Sequence, residues 1–144
     1  MAGRPAPAEQ RTVLRELRLL WALRLPGAVL LAATAAIHGY LWQQGYAGID
    51  VIGPAFLANA VLGAVGALAL LGTPLRWLPW VAAAGAVFAA GTVGALLLST
   101  TVGLFGFFES TAAQLWWESF WVEAAAVVVL GALAVLAHRR RPSR

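Results

Sequence analysis

His38, Asn59 and Glu123 each fall within a long apolar stretch of this chain, where a polar side chain is costly and therefore informative. An imidazole and a carboxyl can share one proton, each stabilising the other's charged form. With the Asn59 amide beside them, such a pair could bind a cation, a quinone oxygen or a lipid headgroup, or hold a proton. The plainer use is adhesive: a hydrogen bond between helices in lipid contributes only about 0.6–2 kcal/mol. Helix-face geometry separates the two, because a ligand site requires all three side chains to converge.

Other chemistries are excluded or demoted by residue type. The 144-residue chain has no cysteine, which removes disulfides, thiolate metal sites and cysteine nucleophiles. Its second histidine, His138, sits beside Arg139 at the arginine-flanked end of the last apolar run, the opposite membrane depth from His38, so one chain cannot hold a bis-histidine haem across that gap. One histidine with scattered carboxylates is a weak zinc site, since zinc takes three or four ligands. The glycines lie inside apolar runs and form no nucleotide-binding loop, and no Ser/His/Asp set has plausible spacing. No catalytic residues, metal or cofactor are therefore assigned.

The elements that must position the three residues follow from hydropathy. The chain is 61% hydrophobic, with a mean hydropathy of +0.79. A small soluble protein has too much surface to hide that much apolar material, so lipid is its solvent. Four apolar stretches, at about 26–44, 51–72, 77–99 and 114–137, each reach the roughly 20 residues that a helix needs to cross about 30 Å of hydrocarbon. No two-residue alternation suggests barrel strands, which leaves helices as the way to satisfy the backbone. The fold class expected is all-α, a four-transmembrane-helix antiparallel bundle, because the connections at 45–50 and 73–76 are too short for anything but antiparallel neighbours. Pro26, Pro54 and Pro79 sit near the starts of the first three spans. The longer connection, 100–113, has an interfacial character, and Ser110 or Thr111 is a candidate cap for the fourth helix.

On that plan His38 lies four residues before Trp42, about one turn below one interface, and Glu123 lies six residues after Trp117, roughly 9 Å in from the same side. Asn59 lies eight residues past Val51, about 12 Å deep. All three occupy the same half of the membrane on three different helices.

Charge orients the bundle. All ten basic side chains are arginine. Arg4, Arg11, Arg15, Arg18 and Arg24 precede the first span, Arg76 lies in the second connection, and Arg139, Arg140, Arg141 and Arg144 follow the last span. The first and third connections carry only Asp50 and Glu109. Every arginine thus falls on one side, which the positive-inside rule makes cytoplasmic, with both termini there. Trp21, Trp77 and Trp80 mark that interface; Tyr40, Trp42, Tyr46, Trp116, Trp117, Phe120 and Trp121 mark the outer one. Residues 1–10 are expected to be disordered. Residues 9–24 read as an amphipathic helix lying in the interface, with arginines on one side and Val13, Leu14, Leu17, Leu20 and Trp21 on the other. Arg11, Arg15, Arg18, Arg24, Arg139, Arg140 and Arg141 are candidate contacts to lipid headgroups, whose phosphates the planar guanidinium holds well. These juxtamembrane clusters fit lipid, not nucleic acid. Ala33-Thr34-Ala35 mimics a signal-peptide cleavage site, but the apolar run continues past it and an uncleaved anchor is expected.

Ala82, Ala86, Ala90 and Gly94, and Ala60, Gly63, Ala64 and Ala67, provide small-residue faces for close helix packing. The run from His38 through Gly45-Tyr46 to Ile52-Gly53-Pro54 and Asn59 resembles a pattern in small four-span membrane proteins of high-GC Gram-positive bacteria, loosely DoxX-like in plan. The later Gly103-Leu104-Phe105-Gly106-Phe107, followed by Glu109, is similar too. That family usually has an arginine after Gly-Tyr, where this chain has Ala47. The family is itself uncharacterised, so the resemblance implies topology and a bacterial plasma membrane and no activity. Small multidrug exporters are of similar size but look different, with a carboxylate in the first span where this chain has His38.

The sequence thus points first to a non-catalytic accessory or binding protein, acting as a homo-oligomer or within a larger membrane complex. The second reading is an outward-facing proton, cation or quinone site, transport- or redox-linked, built on His38, Asn59 and Glu123. A third is lipid sensing by the N-terminal helix.

Overall fold

A computed structural model describes residues 7–140, with side chains from Gln10 onward. Arg4, Arg141, Arg144 and the expected disorder of the first residues lie outside the described residues. Four helices make up the bundle: α1 (Pro7–Gln43), α2 (Ile52–Gly72), α3 (Leu78–Thr101) and α4 (Trp116–Arg139). All four are long and apolar enough to cross a membrane, and the protein is a multi-pass, all-helical membrane protein. Large apolar side chains face outward along their length, among them Leu68 (71% exposed) and Val87 (73%). Such exposure is untenable in water and ordinary in lipid.

What holds the helices together is a seam of buried residues at alternating three- and four-residue steps, the spacing that keeps one stripe facing a partner helix. On α4 it runs through Trp116, Ser119, Glu123, Ala126, Leu130, Leu133 and Ala137. On α1 it runs through Leu20, Arg24, Gly27, Leu31, Thr34, His38 and Leu41. On α3 Leu78, Ala82, Ala89, Thr92 and Ser99 follow the same rhythm. Toward the arginine-bearing end the seams are mostly leucine and alanine; toward the other end they turn polar.

In space the helices run α2–α1–α4–α3. The α1–α2 and α3–α4 pairs pack along their length, α1 packs on α4, and α2 barely touches α3 despite their short connection. At Gly63 on α2 a Cβ would come within 2.9 Å of the Leu31 carbonyl oxygen and 3.1 Å of the Ala35 Cβ, so α1 and α2 approach closely where the sequence offers no side chain. Of the two small-residue faces, the second-helix one therefore meets α1. On α3, Ala82 is buried but Ala90 is exposed, and the packed stripe is Ala82–Ala89–Thr92, not the four-residue repeat. A step of four drifts round a 3.6-residue turn, whereas alternating steps of three and four do not.

Three local expectations differ from what is observed. The amphipathic stretch 9–24 is helical but is not a separate element: it continues unbroken through Pro26 into the first span. Proline's fixed φ suits a helix, and its missing N–H costs one backbone bond, to the Ala22 carbonyl. The 37-residue helix is thus roughly 55 Å long and overshoots the hydrocarbon at the arginine end. Secondly, Arg24 does not face headgroups. It is 4% exposed, and its Nε donates to the Leu70 carbonyl (2.5 Å) while Nη2 donates to those of Leu71 (2.8 Å) and Thr73 (2.6 Å). The guanidinium, 4.7 Å from the Trp21 ring centroid, caps the C-terminus of α2, whose last carbonyls have no intrahelical donor and carry partial negative charge. Arg11, Arg15, Arg18 and Arg139 are exposed, and Arg140 donates to the Glu16 carbonyl (2.8 Å), tying α4 to the overhang of α1. Thirdly, neither Ser110 nor Thr111 caps α4; Leu115 occupies the N-cap in a left-handed conformation, and Ser110 Oγ instead accepts from the Ala112 N–H.

Candidate functional site

His38, Asn59 and Glu123 line one cavity of about 90 Å³ in the arginine-poor half of the bundle. A single water needs roughly 10–15 Å³ of such space, so there is room for a small polar group. The seam explains the convergence: His38 and Glu123 are seam positions of α1 and α4, which face each other, and Asn59 lies one turn past Phe56 on α2.

The His38 ring is held on two sides. Its Nδ1 lies 2.9 Å from the Thr34 carbonyl oxygen, which can only accept, so Nδ1 carries a proton. The Phe56 ring packs 5.0 Å away, tilted by 52°, and Tyr46 stacks on Phe56 at 4.6 Å. Nε2 is thereby aimed at Glu123 Oε1, 3.8 Å distant. That gap is short enough for strong electrostatic coupling and too long for a hydrogen bond. Glu123 is 2% exposed, and its Oε2 has no hydrogen-bond partner. With one proton shared between carboxyl and Nε2 the pair is net neutral, the state a low-dielectric site favours.

Sequence reasoning overlooked the hydroxyls. Thr92 and Ser99 on α3 and Ser119 on α4 also line the cavity. Thr92 Oγ1 donates to the Ala89 carbonyl (2.9 Å) and Ser99 Oγ to that of Leu96 (2.8 Å), and the Thr92 hydroxyl also lies within reach of the Glu123 carboxyl. Their shared seam spacing with Glu123 was the available signal. Trp116 is likewise no belt residue: it is buried in the cavity wall, and its indole N–H donates to Thr100 Oγ1 (3.0 Å).

The connection after α3 folds back over this end. Leu104 and Phe107 pair across a tight turn and both reach the cavity. Phe105 (φ 51°) and Gly106 (φ 80°) at the turn's centre are left-handed, a geometry cheap for glycine and strained for phenylalanine. Val51 (φ 64°) and Leu115 (φ 60°) are strained in the same way, and all three strained residues lie in the two connections at this end. Side-chain ties fasten the cover: Tyr46 OH donates to Glu109 Oε2 (2.6 Å) and Gln114 Nε2 to Tyr40 OH (3.1 Å).

The arrangement supplies an imidazole, a carboxyl, two amides and three hydroxyls around a partly enclosed space, with no arginine among the described residues that line it. It can hold a small hydrogen-bonding group. No family model matches the chain, and neither a curated protein nor a solved structure matches it.

Proposed function

We propose that this is a bacterial plasma-membrane protein, both termini cytoplasmic, which binds a small hydrogen-bonding ligand in the outer half of the membrane without catalysing a reaction of its own. The site is the cavity between His38, Asn59 and Glu123. The orientation rests on the arginines, all of which lie at the opposite end from the cavity among the described residues.

The observation that carries the reading is the orphaned Glu123 Oε2 beside a 3.8 Å gap to His38. An adhesive pair would close to hydrogen-bonding distance, since a buried polar atom without a partner costs about 1–3 kcal/mol. Groups held apart around a cavity are arranged for a third participant.

The carboxyl stretch of Glu123 tests this by infrared difference spectroscopy on the protein in lipid nanodiscs, with E123Q for assignment. Small neutral probes such as p-benzoquinone and formamide are expected to shift that band. A band that ignores every probe refutes the site.

A further inference from the structure

We infer that the ligand is a membrane-dissolved amphiphile, a neutral head bearing hydrogen-bonding oxygens on an apolar chain, and that it enters sideways from the outer leaflet between α2 and α3. This inference rests on the proposed binding site and adds its ligand class and its route.

Three observations support it. First, α2 and α3 are consecutive in sequence but hardly packed on each other, whereas every other pair of neighbours around the bundle is. The cavity lies across that seam, with Ala55 and Asn59 on its α2 side and Ala95 and Leu96 on its α3 side. Second, the path from water is covered: the Leu104–Phe107 turn and Trp116 form the roof, fastened by the Tyr46–Glu109 bond. The open side faces lipid and the closed side faces solvent. Third, charge selects the head. Among the described residues the arginines that would hold a phosphate are at the far end, and the cavity's two ionisable groups, His38 and Glu123, form one net-neutral pair. Phospholipids are therefore poor candidates, while a quinone carbonyl or the hydroxyls of a neutral glyceride fit the donors and acceptors present. The remaining wall is apolar and suits a chain passing out between the helices.

The experiment uses the whole protein in nanodiscs with three probes: p-benzoquinone, the same head with a decyl tail, and dioctanoylglycerol. Each is titrated by mole fraction in the lipid and read by the Glu123 carboxyl band. A tailed probe is expected to saturate the shift at a mole fraction at least tenfold lower than p-benzoquinone; which of the two does so identifies the head. In A55C/A95C, whose cysteines are the chain's only thiols, a photocleavable bis-maleimide bridging α2 to α3 should slow uptake at least tenfold, and light should restore it in the same sample with both thiols still capped. Equal response to the tail-less probe, with no effect of the bridge, overturns the inference and leaves the binding site standing. No shift with any probe removes both. Bridging between two copies instead of within one shows that the gap is an interface with a second chain, and also overturns the lateral route.

Discussion

Tyr46 donates its hydroxyl proton to Glu109 across 2.6 Å, joining the first connection to the third at the covered end of the cavity. Burial pushes the Tyr46 hydroxyl above its ordinary pKa, and the bond to Glu109 and that carboxylate's charge push it further the same way. A group whose pKa is raised by folding contributes stability that is complete below its unfolded value, about 10 for tyrosine, and is lost as pH rises through the folded value. On the tyrosine's side the closure should therefore hold through the neutral range and weaken in strong alkali. In Y40F, Tyr46 is the only tyrosine, and its ultraviolet titration should lie well above pH 10. Adding E109Q should bring the midpoint down without reaching the ordinary value, because burial remains. A midpoint that ignores E109Q would mean that the bond is not formed in the membrane.

Arg24 should matter for stability more than any exposed arginine. R24A leaves the carbonyls of Leu70, Leu71 and Thr73 without their donor, and should cost about 2–4 kcal/mol, since bonds from a charged donor contribute roughly 1.5–3 kcal/mol each and do not add fully. R24K keeps the charge but not the planar fork, and should recover less than half of that loss. R15A, on the exposed face, should change little. Thermal unfolding in detergent ranks the three, and a lysine variant as stable as the wild type would reduce the role of Arg24 to its charge.

Gly63 and Gly94 form a matched pair for testing helix approach. A methyl at Gly63 meets the α1 backbone at 2.9 Å, while one at Gly94 meets nothing within 4 Å. G63A should destabilise by about 1–3 kcal/mol through forced separation of α1 and α2. G94A should be neutral or gain up to about 1 kcal/mol from reduced chain entropy. Equal effects of the two would show that α1 and α2 are not in contact there.

The spans could be read from the sequence nearly to the residue, because twenty apolar residues in a row admit few other solutions: 51–72 was expected where α2 runs Ile52–Gly72, and 77–99 where α3 runs Leu78–Thr101. The convergence of His38, Asn59 and Glu123 was legible only as a requirement. Depth follows from counting residues, but the side of a helix that a residue faces depends on its neighbours. Hydropathy treats Thr92 and Ser99 as unremarkable in a span, so the hydroxyls were visible only through the seam spacing. Arg24 was misread because juxtamembrane arginines usually meet headgroups; that this one meets the end of α2 follows from a contact 46 residues away. The cover over the cavity depends on strained residues such as Phe105 and Leu115, whose backbone angles no propensity foretells.

Glu123→Leu separates adhesion from binding. Leucine approximates the glutamate's volume and removes a buried oxygen that has no partner, leaving His38 still bonded to Thr34. If the pair served to hold α1 against α4, its loss would destabilise the bundle. In a site kept open for a ligand the unpaired carboxyl is itself a strain, and replacing it with an apolar group of similar size is neutral or favourable. The expected result is a thermal midpoint equal to or above that of the wild type, and one that hydrogen-bonding probes, which raise the wild-type midpoint, no longer move. H38F should behave differently. It forfeits the bond to the Thr34 carbonyl and crowds the Phe56 ring, so it should lower stability by about 1–2 kcal/mol as well as abolish binding. A loss of several kcal/mol in E123L would assign the carboxyl to helix packing and return the search to partner proteins.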